Sequence, residues 1–275
     1  MRLSFLALVI SLILVTVSLA GCVTPAEPET GYPADYITSV TPEYVTINNA
    51  SIAYREFGSP NNPPLVYING LGAVMDEMDP DFVGTLAEHY RVILYDHRWV
   101  GHSSSNDTEY HHEQLASDEV ALIHALGYDQ AYLFGHSMGA TIGQLLMLQY
   151  PETVIKCVLC APTYSLHIHG TENLKKVLTT MLASADYQNL SGPEKEMISS
   201  LEFEIMPEQL TSLDTHVLLI TGTADEAVSS FIAGDMAVLI PNSWLIRYPG
   251  ASHKLHYEGH AVSVAEDAIY FFQHT

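Results

Sequence analysis

Short apolar segments alternate with helical segments from about Tyr44 to the end of the chain. The apolar segments are continuous rather than alternating in polarity, which is typical of strands buried on both faces of a parallel sheet. They span residues 44–47, 52–56, 65–68, 91–95, 131–134, 154–160, 217–220 and 244–248. The pattern predicts an α/β fold with a mostly parallel central sheet flanked by helices. Asn48-Asn49, between the first two segments, favours a hairpin turn and hence antiparallel pairing at one edge.

Helical patterns fill most of the intervals between these strands. The predicted helices span residues 115–126, 138–150, 227–240 and 261–272. Residues 162–215 break the alternation, because they contain no clear strand and two helical patches, at 174–185 and 194–203. We therefore expect one domain over residues 41–275, with a small helical cap inserted at about 162–215.

The first 40 residues differ in character from the rest. A positive charge at Arg2 precedes an almost wholly apolar run over residues 3–20, which ends in small residues just before Cys22. This is the anatomy of a signal peptide, here residues 1–21. The Leu-Ala-Gly-Cys end resembles the lipobox of prokaryotic lipoproteins, which implies a lipidated Cys22 and an extended tether over residues 22–40. An uncleaved membrane anchor is the alternative. Both interpretations predict an extracytoplasmic domain attached to a membrane.

Charge and cysteine content exclude several classes of partner. Acidic residues outnumber basic ones by 32 to 10, for a formal net charge of -22, so nucleic acid, which needs clustered Lys and Arg, is not expected as a partner. Cys157 and Cys160 lie three apart in a predicted strand and so point to opposite faces. Neither a disulfide nor a shared metal is expected there. No other spacing typical of metal ligands occurs, and no cofactor is predicted.

The sharpest motif is Gly-His-Ser-Met-Gly at residues 135–139. It matches the G-x-S-x-G pattern, follows an apolar strand and opens a helix, which is the context of a nucleophile elbow. In such a turn the small glycines allow close approach of the backbone, and the helix N-terminus points at a developing negative charge. Ser137 is therefore the predicted nucleophile. A glycine-rich turn with an incidental serine is the alternative.

A serine nucleophile needs a base, and the base needs an orienting acid. Asp225 and His253 each follow the end of a predicted strand, where sites of open α/β sheets gather, and they come in the chain order Ser, Asp, His. We predict that His253 is the base and Asp225 the acid. Asp225 is preferred to Glu226 by spacing, and a cap of the helix starting at Ala227 is its alternative role. The later histidines at 256, 260 and 274 are expected at the surface.

Acyl transfer also needs donors for the oxyanion. The backbone N–H of Met138, directly after the nucleophile, is one candidate. The second is the N–H of Leu71, in the Asn-Gly-Leu-Gly loop at residues 69–72, although an ordinary glycine turn would give the same pattern. Candidates for lining the pocket are Gly70, His136 and Trp99.

These motifs together resemble the α/β-hydrolase superfamily, in its small esterase-like branch, over about residues 44–272. Residues 96–103 are similar to the D-x-R-G-x-G-x-S loop of that branch, residues 250–253 to its histidine loop, and Asp118 to an aspartate before its elbow. The sequence departs from the branch at three positions: Asn69 replaces His, Trp99 replaces Gly, and Ala140 replaces a frequent Gly. Trp99 is expected either to wall the pocket or to pack in the interior.

The predicted activity is hydrolysis of a small-molecule carboxylic ester through an acyl-enzyme, without metal or organic cofactor. Within the same fold, the resemblance leaves a lactonase, a cofactor-free perhydrolase or a small peptidase as alternatives. Peptidase relatives carry acidic cap residues, and Glu202 and Glu204 lie in the corresponding region. A catalytically silent binding module that keeps the fold is the alternative from another class.

Overall fold

One twisted sheet organises the computed structural model, which describes residues 31–106, 110–257 and 259–274. The strands run in the order β1-β2-β4-β3-β6-β7-β8-β9, and β5 pairs with β2. Pairing is parallel from β4 through β9 and antiparallel between β2 and each of its partners. The strands are Glu43–Ile47 (β1), Ala50–Phe57 (β2), Pro64–Ile68 (β3), Arg91–Tyr95 (β4), Ser104–Ser105 (β5), Ala131–His136 (β6), Val154–Cys160 (β7), Val217–Gly222 (β8) and Ser243–Tyr248 (β9). This confirms the predicted fold class.

Both faces of the sheet are buried, as the continuous apolar segments indicate. Alternate residues of each central strand belong to two separate hydrophobic clusters, one on each face. Cys157 belongs to the first cluster and Cys160 to the second, and both are free buried thiols. At the antiparallel edge, Asn48 and Asn49 both adopt positive φ, 44° and 59°, as the predicted hairpin turn requires.

Helices cover the two faces. Within the described residues they are Pro80–Ala87 (α1), His112–Ala125 (α2), Met138–Gln149 (α3), Glu172–Leu182 (α4), Gly192–Glu202 (α5), Pro207–Leu210 (α6), Ser230–Leu239 (α7) and Ala261–His274 (α8). None of the helices described here is long and apolar enough to cross a lipid bilayer. Helix α1 was not predicted, yet it carries a readable start signal: Asp79 accepts hydrogen bonds from the first-turn amides and Pro80 occupies the first turn.

Helices α4, α5 and α6 lie between β7 and β8, within the range predicted for a cap. They enclose a small cluster of buried side chains of their own: Leu166, Leu178, Leu182 and Met197. We call residues 161–216 the cap segment. The predicted signal peptide and Cys22 lie outside the described residues, as do residues 22–30 of the proposed tether, so these remain predictions. Residues 34–39 of that tether form turns and Ile37 is buried, so this part of it is not extended.

The loop after β4 is held by a buried ion pair. The guanidinium of Arg98 donates to both carboxylate oxygens of Asp118 on α2, at 2.6 and 2.7 Å. The residue after Arg98 is Trp99, which has a positive φ of 60°, a conformation that a glycine would adopt more easily. The loop therefore has, at the bulky Trp99, a backbone conformation that favours glycine.

Candidate active site

The turn between β6 and α3 forces Ser137 into a strained conformation, with φ 54° and ψ −115°. Its two flanking glycines are required by close packing. A Cβ on Gly135 would lie 2.3 Å from the carbonyl oxygen of Gly139, and a Cβ on Gly139 would lie 2.0 Å from that of Ile68. Strain of this kind is retained where the surroundings fix it, commonly at functional sites. The turn holds Ser137 at the carboxyl end of the sheet.

Three side chains that are distant in sequence meet at this turn. His253 Nε2 lies 2.9 Å from Ser137 Oγ, and His253 Nδ1 lies 2.7 Å from Asp225 Oδ2. The Asp225 side chain is fully buried, whereas that of His253 is 22% exposed. Because Asp225 accepts the hydrogen on Nδ1, Nε2 is left to accept the hydroxyl proton of Ser137. The three predicted residues are thus arranged as nucleophile, base and orienting acid.

Asp225 also holds the turn that follows β8. Its Oδ1 accepts hydrogen bonds from the backbone N–H groups of Ala227 and Val228, at 2.8 and 2.9 Å. These residues form a turn, and helix α7 begins only at Ser230, three residues later than predicted. The alternative role of Asp225 as a helix cap is therefore wrong, because the residues that it bonds belong to a turn and the helix cap is Ser229. The same carboxylate serves both the turn and His253, and its orientation is fixed from two sides.

A second histidine, His136, holds the loop that carries His253. His136 Nε2 donates a hydrogen bond to the backbone carbonyl of His253, at 2.9 Å. Burial, and then the neighbouring His253, lower the pKa of His136 to about 3, so it is neutral at physiological pH and adds no positive charge beside the base. His256, expected at the surface, is instead fully buried and hydrogen-bonds the Tyr67 hydroxyl. His274 is exposed, as predicted, and His260 is half-buried.

Both predicted oxyanion donors belong to residues that line the cavity at Ser137. Neither the Leu71 nor the Met138 backbone N–H donates a hydrogen bond to any described residue. Asn69, just before this loop, is fully buried and donates from Nδ2 to the Tyr95 carbonyl, at 2.8 Å. It therefore attaches the loop to β4, and the backbone donors do not depend on a histidine at that position.

A cavity of about 640 Å³ opens over Ser137. The sheet supplies Ser137, His253, Gly70 and His136, while the cap segment supplies much of the apolar wall. That wall comprises Leu71, Met138, Leu166, Leu174, Leu178 and Phe203. Polar side chains, among them Glu77, Thr141 and Lys254, line the rest of the cavity, and such a combination of apolar wall and polar groups is typical of sites for small molecules.

Trp99 does not line the cavity, unlike Gly70 and His136. Its indole N–H donates to the Ser105 carbonyl at 3.0 Å, and the Lys195 ammonium lies 3.4 Å from its ring centroid. Trp99 is therefore a contact between the loop after β4 and helix α5. The interior packing that the sequence left open is the better description.

Two buried polar residues where the cap segment meets the rest of the domain were not predicted. His112, at the start of α2, lines the cavity and pairs through Nδ1 with the Ser199 hydroxyl of α5. Burial lowers the pKa of His112 to about 3, so it is neutral. Glu196 of α5 is fully buried against the Leu71 loop. No local motif marks either residue, since both act through contacts between segments distant in sequence.

Comparison with known proteins places these features in a family. The family model described as alpha/beta hydrolase fold matches residues 63–213. The 3-oxoadipate enol-lactonase 2 of Acinetobacter baylyi is 34% identical over 108 residues, covering 39% of this chain and 40% of that protein. Rhodomycin D methylesterase DauP of a Streptomyces species is 36% identical over 116 residues, covering 40% of this chain and 39% of that protein. The chain spans about two fifths of the length of each relative.

The same fold occurs in solved structures. A hydrolase from Pseudomonas aeruginosa PA01 superposes with a TM-score of 0.71 at 22% identity, covering 86% of this chain and 99% of that chain. At this level of identity the likeness concerns the fold, and the chemistry has to be argued from the site itself.

Proposed function

The chain belongs to the α/β-hydrolase fold family, and on that premise we propose that it is a serine hydrolase that cleaves carboxylic esters through an acyl-enzyme on Ser137. The observation that carries the proposal is the hydrogen-bonded series from Ser137 Oγ through His253 to Asp225, with distances of 2.9 and 2.7 Å. This arrangement does what an acyl transfer needs: it removes a proton from the nucleophile and stabilises the resulting imidazolium.

In the first half-reaction, His253 Nε2 takes the Ser137 proton while Oγ attacks the ester carbonyl. The carbonyl oxygen becomes an anion, and we assign the N–H groups of Leu71 and Met138 to receive it. Asp225 stabilises the positive charge on His253. When the tetrahedral intermediate collapses, the bond to the alcohol oxygen breaks and that oxygen takes the proton from Nε2.

In the second half-reaction, water attacks the acyl carbon and gives its proton to His253. Collapse then breaks the bond between the acyl carbon and Ser137 Oγ, which takes the proton back. Charge develops on the same oxygen in both halves, so one pair of backbone donors serves both. Donors of this type contribute about 10²–10³ each in rate.

The substrate class follows from the cavity. A volume of about 640 Å³ with a mainly apolar wall fits a compact ester better than an extended polymer. Glu202 and Glu204, whose positions raised the peptidase alternative, are exposed and do not line the cavity, so neither offers a site there for a free amine; the acidic residue that does line it is Glu77.

A lactonase is the second candidate, and the enol-lactonase relative favours it. In a lactone the leaving alcohol stays attached to the acyl group, so the same residues open the ring. Parallel assays with five- and six-membered lactones and with open-chain esters of equal carbon number separate the two activities. The lactonase is favoured if kcat/KM for a lactone exceeds that for its open-chain counterpart.

We further propose that residues 1–21 are a signal peptide and that Cys22 carries the lipid that holds the domain outside the cytoplasm. The support is the sequence itself: a positive start, an apolar run and a Leu-Ala-Gly-Cys end. Metabolic labelling with an alkyne fatty acid in a bacterial host tests this. The label should be lost in Cys22→Ala, and equal labelling of both proteins would contradict lipidation.

The central experiment is labelling by a fluorophosphonate, together with hydrolysis of short p-nitrophenyl esters. The full-length protein should label and hydrolyse, and Ser137→Ala should do neither. Ser184→Ala, at an exposed position of the cap segment, is the matched control and should behave as wild type. A wild-type protein that neither labels nor hydrolyses would support the silent binding module instead.

A further inference from the structure

A fully buried carboxylate joins the cap segment to the loop that carries the second oxyanion donor. Glu196, on α5, has no solvent exposure. Its Oε2 accepts the backbone N–H of Gly72 at 2.6 Å. Its Oε1 accepts the Tyr110 hydroxyl at 2.8 Å and lies 3.0 Å from His97 Nδ1. All three partners belong to loops outside the cap segment, so one side chain of α5 contacts three separate loops.

Stability alone does not explain why a carboxylate is buried here. Removing a carboxylate from water is costly, and hydrogen-bonded buried charges often do no more for stability than apolar residues of equal volume. Each hydrogen bond to the carboxylate does, however, fix a direction. The orientation that Glu196 imposes on its partners is therefore the property to explain.

Of the three partners, Gly72 has the direct link to the proposed chemistry. It follows Leu71, whose N–H is the proposed oxyanion donor, and the N–H of Ala73 donates to the Gly70 carbonyl at 3.1 Å. Leu71 and Gly72 are thus the central residues of a β-turn, and the φ of Gly72 is +70°. Turns of type I and type II differ in the orientation of the central peptide, and positive φ at the third position is the type II form.

Gly72 lacks the Cβ that would resist rotation of that central peptide. Its N–H is fixed instead by Glu196 Oε2, because a rotated peptide would turn the Leu71 carbonyl oxygen toward the carboxylate. Without this bond the central peptide of the turn is no longer anchored to α5, so the loop backbone that carries the Leu71 N–H is free to shift. Misplacement of a catalytic group by about 1 Å can cost about 10²-fold in rate.

We propose that Glu196 is a positioning residue: by accepting the hydrogen bond of Gly72, it holds the Leu71 N–H in the oxyanion hole from the cap segment. The inference rests on the proposed function and adds a dependence of that function on α5. The hole is complete only while α5 is packed against the Leu71 loop.

Helix α5 also lies where it can contact a substrate in the cavity. Ser200, four residues after Glu196 and hence on the same helix face, lines the cavity. The start of the helix packs against the loop after β4, where a Cβ on Gly192 would lie 2.3 Å from the Trp99 carbonyl oxygen. The Lys195 ammonium adds its contact with the Trp99 ring. A substrate that contacts α5 therefore contacts the same element that orients the oxyanion loop.

The test compares Glu196→Ala, Glu196→Gln and Glu202→Ala in the full-length protein. Glu202 is an exposed carboxylate at the end of the same helix and serves as the matched control. Glu196→Ala should lower kcat about 10- to 100-fold, with KM changed by less than about threefold, because the lost interaction acts on the transition state. Glu196→Gln should keep kcat within about fivefold, since its amide oxygen still accepts from Gly72 and its NH₂ can donate to the Tyr110 oxygen. Glu202→Ala should match wild type.

A second readout separates positioning from a general loss of structure. Aryl trifluoromethyl ketones form an oxyanion on serine hydrolases, so their inhibition constants should rise in Glu196→Ala by the same factor as kcat/KM falls. If Glu196→Ala does not fold, Glu196→Asp replaces it, because it keeps the charge and withdraws the acceptor by one carbon.

The inference is overturned if a folded Glu196→Ala or Glu196→Asp keeps wild-type kcat, or if KM alone changes. It is also overturned if Glu196→Gln is as impaired as Glu196→Ala. A wild-type protein without label and without ester hydrolysis overturns the proposed function, and this inference with it. An active wild type with unaffected Glu196 variants overturns the inference alone.

Discussion

The sheet and the cap segment contribute to the site in different ways. The sheet side provides the Ser137, His253 and Asp225 side chains from strand ends that pack between two large buried clusters. The cap segment provides apolar wall from a small cluster, while Val177 and Met181 of α4 are 52% and 53% exposed. The comparison teaches that the nucleophile, base and acid come from the densely packed sheet side, whereas the thinly packed cap segment contributes apolar wall and, through Glu196, the proposed support of the oxyanion loop.

The largest loss of activity should follow when the orienting acid of the sheet side, Asp225, is neutralised. Asp225→Asn keeps the size of the side chain but removes the acceptor charge that orients and stabilises His253, so kcat should fall about 10⁴-fold. Ester hydrolysis at saturating substrate measures it. The neighbouring, exposed Glu226→Gln is the control, and an equal loss in both variants would show that the acid has been misassigned.

Tight packing at the elbow should make Gly139→Ala costly in stability. The new Cβ would lie 2.0 Å from the Ile68 carbonyl oxygen, so backbone must shift. We expect a loss of about 3 kcal/mol or more in the free energy of unfolding, as for other overpacked sites. Gly143→Ala on the same helix meets its nearest neighbours only at 3.2 Å and should cost less. Urea unfolding of both variants checks the order, and the reverse order would contradict the packing argument.

On the sheet side, the buried carboxyl group of Glu119 should make the stability of the protein depend on pH. Burial raises the pKa of Glu119, on α2, from 4.5 to about 8; the nearby Asp118 adds to the rise and Tyr95 opposes it. Between these values the folded protein holds more protons than the unfolded chain, so its stability falls as pH rises. Glu119→Gln should therefore stabilise the protein by about 3 kcal/mol more at pH 8 than at pH 5.

Exposed Glu113→Gln, on the same helix, is the control for that prediction and should show no such pH dependence. Thermal or urea unfolding across this pH range measures the effect. A Glu119→Gln variant whose stability follows wild type at every pH would mean that the carboxylate is not held protonated.

The apolar wall that the cap segment contributes should yield the smallest effects on chemistry and the clearest ones on selectivity. Leu178 is buried and lines the cavity, whereas Val177, next to it on α4, points to solvent. Leu178→Ala should raise KM about 3- to 10-fold for short esters and shift the preferred acyl chain to a longer one, with little change in kcat. Val177→Ala should change neither. A tenfold loss of kcat in Leu178→Ala would mean that this wall residue acts on the chemical step as well as on substrate choice.

How far the sequence predicts this molecule follows the same division. Ser137 and His253 could be located because a strand end, a glycine turn and a helix start are local patterns, and parallel strands bring such ends to one edge. The strand bounds were nearly right for the same reason. Helix α1 was not predicted, although Asp79 and Pro80 form a local pattern that indicates the start of a helix.

Other residues could not be predicted, because their roles depend on contacts between distant segments. Glu196 and His112 carry no motif, and only the packing of α5 against the loops of the sheet side defines them. His256 follows the histidine loop in sequence and reads as a surface residue, yet the loop turns it inward to Tyr67. The place of Trp99 depends on its contact with Lys195, which lies 96 positions later in the chain and which no local pattern indicates.

A crystal structure of the protein after reaction with a phosphonate ester tests the central claim most directly. The account predicts phosphorus bonded to Ser137 Oγ, with one phosphonyl oxygen at about 2.7–3.1 Å from the backbone nitrogens of both Leu71 and Met138. Phosphorus on another residue, or an oxygen directed away from both amides, would contradict it.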